Sequence, residues 1–279
     1  MKINLAKYAG FCFGVKRAID TAYKTLANNK NVYILGNIVH NENVARKLEK
    51  AGIKKSKKLG CGKNKIFLIR AHGASLNIIN NARKLGYKIV DATCPMVKGI
   101  HKIARSAEHK GHTIIVIGDK KHDEVKGIIG QLEKHAIVIE SSQNIPWDKL
   151  KKINKACVVV QSTQNLEKVI KIIEILKPRI KKLKFFNTIC QPTRLKQQEM
   201  KNMPLENNVM IIIGSKTSAN TKRLYEISKS LNDRSYWVQS KNDLKPEWFK
   251  GIKTVGITSG ASTPDYTTEE VIICIKRIT

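Results

Sequence analysis

Short apolar runs alternate with amphipathic segments along the whole chain. Runs such as residues 66–69, 113–117 and 208–213 are rich in Ile and Val, and their length is typical of buried strands. Segments such as residues 14–27 carry apolar side chains at helical spacing instead. This alternation predicts α/β domains with mainly parallel sheets.

The pattern predicts the following elements, with residues 141–155 and the stretch around Pro246 and Trp248 as connections. The predicted strands cover residues 2–8, 32–35, 66–69, 87–90, 113–117, 136–139, 157–160, 183–187, 208–213, 235–238 and 253–257. The predicted helices cover residues 14–27, 43–51, 76–85, 96–109, 124–132, 166–177, 192–201, 220–231 and 265–276.

Three cysteines, Cys12, Cys94 and Cys190, recur with a spacing of 82 and then 96 residues, and each follows a predicted strand. A glycine that ends an apolar run follows each cysteine after 24 residues, at Gly36, Gly118 and Gly214. A period of this length indicates repeats that are each large enough to form a small domain.

Polar residues occupy matching positions in the three repeats. The fourth residue after each glycine is His40, His122 or Ser218, and two residues further on stands Glu42, Glu124 or Asn220. A looser third series, also after predicted strands, consists of His72, Thr163 and Ser262. Because ligands bind beyond the carboxyl ends of strands in parallel sheets, these positions predict one binding site.

The repeat predicts three α/β domains, at residues 12–93, 94–189 and 190–279. The third repeat lacks a final strand, and the strand within residues 1–11 has no repeat of its own. We therefore expect residues 1–11 to complete the third domain. The three domains should stand in a pseudo-threefold arrangement, with the three thiols meeting on its axis.

The net charge of +30 is high enough to suggest nucleic acid or an anionic membrane as a partner. However, 42 of the basic residues are Lys and 10 are Arg, and no nucleic-acid-binding motif accompanies them. The predominance of Lys indicates that the net charge reflects drift in amino-acid composition and not a nucleic-acid-binding role. Residues 1–7 lack the apolar segment of a signal peptide, and no run is long enough to span a membrane, so a cytoplasmic location is expected.

Three thiolates at equivalent positions favour a metal site with soft ligands. Zinc would need a fourth ligand, such as His72 or His122, whereas an iron–sulfur cubane on three cysteines would keep one open iron. The residues alone leave both metals open. The remaining cysteines, Cys61, Cys157 and Cys274, fall outside the repeat and are expected to have no role in the site.

Several motifs spread over the whole chain resemble the 4-hydroxy-3-methylbut-2-enyl diphosphate reductase (LytB) family. They are Ala9-Gly10-Phe11-Cys12-Phe13-Gly14-Val15, Gly36 with His40-Asn41-Glu42-Asn43, Arg70-Ala71-His72-Gly73, Asp91-Ala92-Thr93-Cys94-Pro95, His122-Asp123-Glu124-Val125, Asn187-Thr188-Ile189-Cys190 and Gly260-Ala261-Ser262-Thr263-Pro264-Asp265.

The resemblance implies an oxygen-sensitive 4Fe–4S cluster on Cys12, Cys94 and Cys190, with one open iron for the substrate hydroxyl. It implies reductive dehydroxylation to isopentenyl and dimethylallyl diphosphate, the last step of the non-mevalonate pathway. Glu124 matches the proton-delivering acid, with Thr163 beside it. The diphosphate-binding positions match His40, His72, His122, Ser218, Asn220 and Ser262, and Ala219 stands where the family commonly has a serine.

An acidic ferredoxin or flavodoxin would suit the basic surface as electron donor. Two alternatives remain at this point. One is a hydro-lyase or synthase that uses a three-cysteine cluster without net reduction, and the other is a basic RNA-binding protein with a structural zinc.

Overall fold

A computed structural model describes residues 1–278 of the protein. The chain groups into two compact units. The first unit contains Met1–Lys16, His40–Val44 and the chain from Gln191 onward, and the second contains Arg17–Val39 and Ala45–Cys190.

The strands and helices follow one another in the predicted α/β order. The strands are β1 (Lys2–Leu5), β2 (Val32–Leu35), β3 (Lys54–Ser56), β4 (Ile66–Ile69), β5 (Lys88–Asp91), β6 (Thr113–Ile117), β7 (Ile137–Ile139), β8 (Lys155–Val160), β9 (Lys182–Phe185), β10 (Val209–Ile213), β11 (Ser235–Val238) and β12 (Thr254–Ser259). The α-helices are α1 (Phe13–Asn28), α2 (Glu42–Lys50), α3 (Leu76–Lys84), α4 (Pro95–His109), α5 (Asp123–Ile129), α6 (Trp147–Leu150), α7 (Leu166–Leu176), α8 (Gln191–Glu206), α9 (Ala219–Leu231) and α10 (Asp265–Ile278). Two short 3₁₀ helices lie at Lys241–Asp243 and Pro246–Phe249.

The strands form three four-stranded sheets with the same internal order. The second unit holds the sheets β3-β2-β4-β5 and β7-β6-β8-β9, and the first unit holds β11-β10-β12-β1. All neighbouring strands are parallel. The predicted fold class, α/β with three small parallel sheets, is confirmed.

The N-terminal strand β1 takes the edge position that β5 and β9 take in the other two sheets. It pairs with β12 in register, with Lys2 opposite Thr254 and Leu5 opposite Ile257. In each sheet this edge strand is the one that leads to a repeat cysteine.

The central strands form the cores because helices cover both faces of a parallel sheet. Every residue of β10 is buried, and so are all but the first residues of β6 and β8. Complete burial of each such Ile or Val side chain contributes about 1.5–3 kcal/mol to folding. These rigid strands fix the positions of the loops that follow their carboxyl ends.

Several boundaries differ from the predicted ones. The strand β3 was not predicted, since its sequence Lys-Lys-Ser is polar and lies at a sheet edge. The helix α6 lies within the predicted connection at residues 141–155. The predicted strand at residues 2–8 ends at Leu5.

Helix α8 continues past its predicted end and contains Pro204 in its last turn. Two asparagine amides satisfy the carbonyls of this turn. Asn207 donates to the Met203 carbonyl at 2.8 Å, and Asn232 donates to the Pro204 carbonyl at 2.9 Å. Within residues 1–278, no helix combines the length and the apolar character needed to cross a membrane.

Candidate active site

The three repeat cysteines have the same backbone environment in their respective sheets. Each cysteine directly precedes a helix, α1, α4 or α8. The N–H of each cysteine donates to a carbonyl two residues beyond the neighbouring strand: Cys12 to Ala261 at 3.1 Å, Cys94 to Ala71 at 2.9 Å and Cys190 to Ser162 at 3.0 Å. The sequence repeat is therefore also a repeat of local geometry.

All three repeat cysteines are half-buried, and each lies at the N-terminal end of its helix. The partial positive charge at a helix N-terminus favours anionic groups such as metal-bound thiolates. Outside the repeat, Cys61 is exposed and Cys274 is half-buried. Cys157 is buried within β8, and this burial raises the pKa of its thiol to about 11.

Two histidines of the second unit, His72 and His122, lie together with their rings nearly perpendicular and their centroids 5.6 Å apart. His122 precedes α5, and its Nδ1 accepts a hydrogen bond from the Glu124 N–H at 3.1 Å. Because Nδ1 accepts, the neutral ring carries its proton on Nε2 and can donate from there. An ion pair of 2.7 Å between Arg70 and Asp123 joins the loop that carries His72 to the first residue of α5, next to His122.

Glu124 is almost completely buried, with 2% of its surface exposed. Its two carboxylate oxygens accept hydrogen bonds from Ser162, one from the N–H at 2.6 Å and one from the hydroxyl at 2.7 Å. Burial raises the pKa of Glu124, and the two bonds from Ser162 only partly oppose it. The side chain can therefore hold a proton under conditions where an ordinary glutamate is ionised.

Thr163 follows Ser162 directly, so it lies next in sequence to the partner of Glu124. Its hydroxyl oxygen accepts from the Gln161 side-chain amide at 3.0 Å. The carbonyl oxygen of that amide accepts from the Asp119 N–H at 2.8 Å. Gln161 thus fixes the loop after β8 relative to the loop after β6.

In the first unit, Ser218 directly precedes α9, and Ala219 and Asn220 are the first two residues of that helix. The Ser218 hydroxyl caps the helix by accepting from the Thr221 N–H at 3.3 Å. Asn220 is 3% exposed, and within residues 1–278 neither its Oδ1 nor its Nδ2 has a hydrogen-bond partner. A buried amide without partners is costly, and a polar ligand would satisfy it.

Ser262 and His40 are also brought together in the first unit. The buried Ser262 hydroxyl donates to the His40 carbonyl at 2.9 Å. This bond ties the loop after β12 to the loop that begins α2.

Glu42 and Glu124 occupy the same sequence position in two repeats but have opposite environments. Partial burial alone would raise the pKa of Glu42, but hydrogen bonds from Ser215, from its own backbone and from Thr217 hold it below the ordinary value. The bond from the Thr217 hydroxyl measures 2.9 Å. Glu42 is therefore ionised, whereas Glu124 is the better proton carrier.

Two further residues were missed in the sequence. Ser162 could have been found because it precedes Thr163 in the third polar series. Lys196 is buried in α8, six residues after Cys190, where α1 and α4 have the apolar residues Ala18 and Ile100. A lysine at a position that is apolar in the other two repeats could have identified this residue from the sequence.

The fold and the site define an α/β protein with a threefold-repeated cysteine at the strand ends. The sequence model of the LytB protein family matches residues 3–276. The chain therefore belongs to the LytB protein family.

Two relatives that match the chain over nearly its full length have the same name. A 4-hydroxy-3-methylbut-2-enyl diphosphate reductase of Aquifex aeolicus is 39% identical over 280 residues, which cover 99% of this chain and 96% of that protein. The reductase of the same name from Clostridioides difficile is 38% identical, with 100% of both chains covered.

Two solved structures are similar over almost the whole chain. One, described as (E)-4-hydroxy-3-methyl-but-2-enyl diphosphate reductase, the terminal enzyme of the non-mevalonate pathway, is 39% identical with a TM-score of 0.73, covering 99% of this chain and 100% of that one. The E-1-hydroxy-2-methyl-but-2-enyl-4-diphosphate reductase of Plasmodium falciparum is 29% identical with a TM-score of 0.88, covering 98% of this chain and 87% of that one.

Proposed function

We propose that this protein reductively dehydroxylates (E)-4-hydroxy-3-methylbut-2-enyl diphosphate to isopentenyl diphosphate and dimethylallyl diphosphate, the last step of the non-mevalonate pathway. The observation that carries the proposal is the identical backbone environment of Cys12, Cys94 and Cys190. Family membership and the names of the full-length relatives support the same reaction.

The donor set fits an iron–sulfur cluster. Three half-buried thiols, each at a helix N-terminus, offer soft ligands and a field that favours an anionic centre. Cys12, Cys94 and Cys190 would hold a 4Fe–4S cluster and leave one iron without a protein ligand. When bound, this cluster supplies electrons one at a time and a Lewis-acidic iron.

The diphosphate would be bound by His40, His72, His122, Ser218, Asn220 and Ser262. The Asn220 amide has its hydrogen-bonding capacity available, and the His122 ring can donate from Nε2. The N-terminus of α9, which contains 13 residues, favours a phosphate group. At Ala219 the side chain offers no hydroxyl, so the contact there would fall to the backbone N–H.

Glu124 would supply the proton that lets the hydroxyl leave. The carbon–oxygen bond breaks, water departs, and two electrons and two protons are consumed for each product molecule. Burial keeps the Glu124 proton available, and the Ser162 bonds hold the carboxyl group in one orientation. Thr163, beside Ser162, is proposed to assist in this proton delivery.

The arrangement of the three predicted domains around the cluster is part of this proposal, with boundaries at residues 12–93, 94–189 and 190–279 and completion of the third by residues 1–11. An acidic ferredoxin or flavodoxin as electron donor and a cytoplasmic location belong to it as well.

The test is anaerobic purification followed by measurement of iron, acid-labile sulfide and turnover with a chemical reductant. The wild-type protein should be brown, show the signal of a 4Fe–4S cluster by electron paramagnetic resonance after one-electron reduction, and consume the allylic diphosphate only when reductant is present. Cys190→Ser should lose the cluster, and Cys61→Ser, at an exposed cysteine outside the repeat, should keep it. A colourless wild-type protein with zinc in place of iron would refute the proposal, and turnover without reductant would indicate a hydro-lyase.

A further inference from the structure

Lys196 is a buried lysine that interrupts the threefold repeat. The corresponding residues of α1 and α4 are Ala18 and Ile100, which are buried and apolar. Lys196 stands at the same distance from its cysteine, and only 2% of its surface is exposed. A buried cation destabilises a fold unless its surroundings compensate the charge, so the compensating groups are informative.

The ammonium group of Lys196 is held by backbone carbonyls around the segment that precedes Cys12. It donates to the carbonyls of Tyr8, of Gly10 at 3.1 Å and of Ser259 at 3.0 Å. A lysine has three protons to donate, and all three are used here. None of these three partners carries a formal charge.

Glu199, one turn further along α8, binds backbone N–H groups of the segment that precedes Cys12. The Glu199 carboxylate accepts from the N–H groups of Lys7 at 2.6 Å and Tyr8 at 3.1 Å. The Gly10 N–H donates to the Ser259 hydroxyl at 2.6 Å. Helix α8 and the end of β12 thereby fix the backbone that leads to Cys12.

Lys196 keeps its positive charge in most molecules at neutral pH. Burial lowers its pKa to about 8, while the charges of Cys12, Glu199 and Asp265 oppose this effect. The positive charge acts on Cys12, and the hydrogen-bond partners of the ammonium group leave it without a directly bound anion. An anionic group bound at Cys12 would complement it.

We propose that Lys196 is a positioning residue for the iron–sulfur cluster. Lys196 fixes the segment that leads to Cys12 and places a positive charge near the cluster. This inference rests on the proposed function, since it requires the cluster at the repeat cysteines. A nearby cation favours the more negative, reduced state of the cluster and therefore raises its reduction potential.

The test compares Lys196→Arg, which keeps the charge, with Lys196→Met, which keeps the length and apolar stem without the charge. Lys201→Met is the matched control, because Lys201 lies in the same helix and is exposed. Each full-length variant is purified anaerobically, and iron and acid-labile sulfide are measured. The midpoint potential is then determined by redox titration followed by electron paramagnetic resonance.

Lys196→Met should give a folded protein with less cluster and a more negative midpoint potential, and Lys196→Arg should restore both quantities toward wild type. Lys201→Met should match wild type. An unchanged midpoint in Lys196→Met, an equal shift in Lys201→Met, or loss of the folded protein in Lys196→Met would each overturn the inference. Absence of a cluster from the wild-type protein would instead refute the proposed function.

Discussion

His101 should make the stability of the protein fall in mild acid. It lies in α4 and is 7% exposed, and within residues 1–278 its Nε2 has no hydrogen-bond partner. Its ring fills space left by two glycines: a Cβ on Gly73 would lie 2.7 Å from its Cε1, and one on Gly127 would lie 3.6 Å from its Nε2. The ring is therefore packed against both backbones and largely removed from the water that a charged imidazole needs.

Burial, aided by the positive charges of Arg105 and Lys98 and opposed by Asp91, lowers the pKa of His101 from 6.5 to about 4. Between these values the unfolded chain binds more protons than the folded protein, so stability rises with pH there. The contribution of neutral His101 to the free energy of unfolding is complete above the pKa of the unfolded chain. It is lost as the pH falls from that value toward the lower pKa of the folded protein. It amounts to about 2 kcal/mol between about pH 7.5 and pH 5, and to about 3 kcal/mol once the pH is below both values.

The assay is anaerobic urea unfolding, followed by circular dichroism, of wild type and His101→Asn at several pH values between about 5 and 7.5. The variant should be less stable at neutral pH, because it leaves a cavity, but its stability should fall less steeply in acid. His109→Asn is the control, since His109 lies in the same helix and is exposed. Parallel pH profiles for wild type and His101→Asn would refute the reasoning, because other titrating groups are common to both proteins.

Three further predictions concern the site. Glu124→Gln should keep the cluster and lower kcat by about 10²–10⁴-fold, because the buried proton is removed, whereas Glu42→Gln should change kcat by less than about tenfold in the same steady-state assay. Asn220→Ala should raise KM by about fivefold, since a net hydrogen bond contributes about 1 kcal/mol, with little change in iron content. Ala219→Ser should lower KM by about threefold in the same assay, because it adds a hydroxyl group at the start of α9.

Each of these predictions has a result that contradicts it. Full turnover in Glu124→Gln would remove that residue from proton delivery, and equal losses in both glutamate variants would remove the distinction drawn from their environments. An unchanged KM in Asn220→Ala would show that the buried Asn220 amide does not contribute to diphosphate binding. A raised KM in Ala219→Ser would indicate that the added hydroxyl group hinders diphosphate binding instead of contributing a hydrogen bond.

The positions of the strands along the chain were predictable wherever the strands are apolar. Strands such as β10 and β6 have continuous apolar runs that consist mainly of Ile and Val, and their burial follows from that composition. The strand β3 was missed because its three polar residues carry no periodic signal. The repeat itself contained the missing information, since the equivalent strands β7 and β11 were both predicted.

The site was predictable as a set of positions but not as a set of roles. Glu42 and Glu124 are indistinguishable in spacing, and only the fold places the Ser162 groups against one and Thr217 against the other. The continuation of α8 past Pro204 likewise depends on Asn232, which is distant in sequence. Local pattern carries information about periodicity, whereas these contacts depend on where separate segments meet.

The pairing of β1 with β12 also determines when the protein can mature. The strand β1 is synthesised long before its partner β12. The hydrogen bond from the Cys12 N–H to the Ala261 carbonyl cannot form until Ala261 has been synthesised. Domains generally fold in the order in which they emerge from the ribosome. Cys12 therefore reaches its final backbone position only after the sheet that contains β12 has formed. Insertion of the proposed cluster is therefore expected to follow the synthesis of β12 and Ala261.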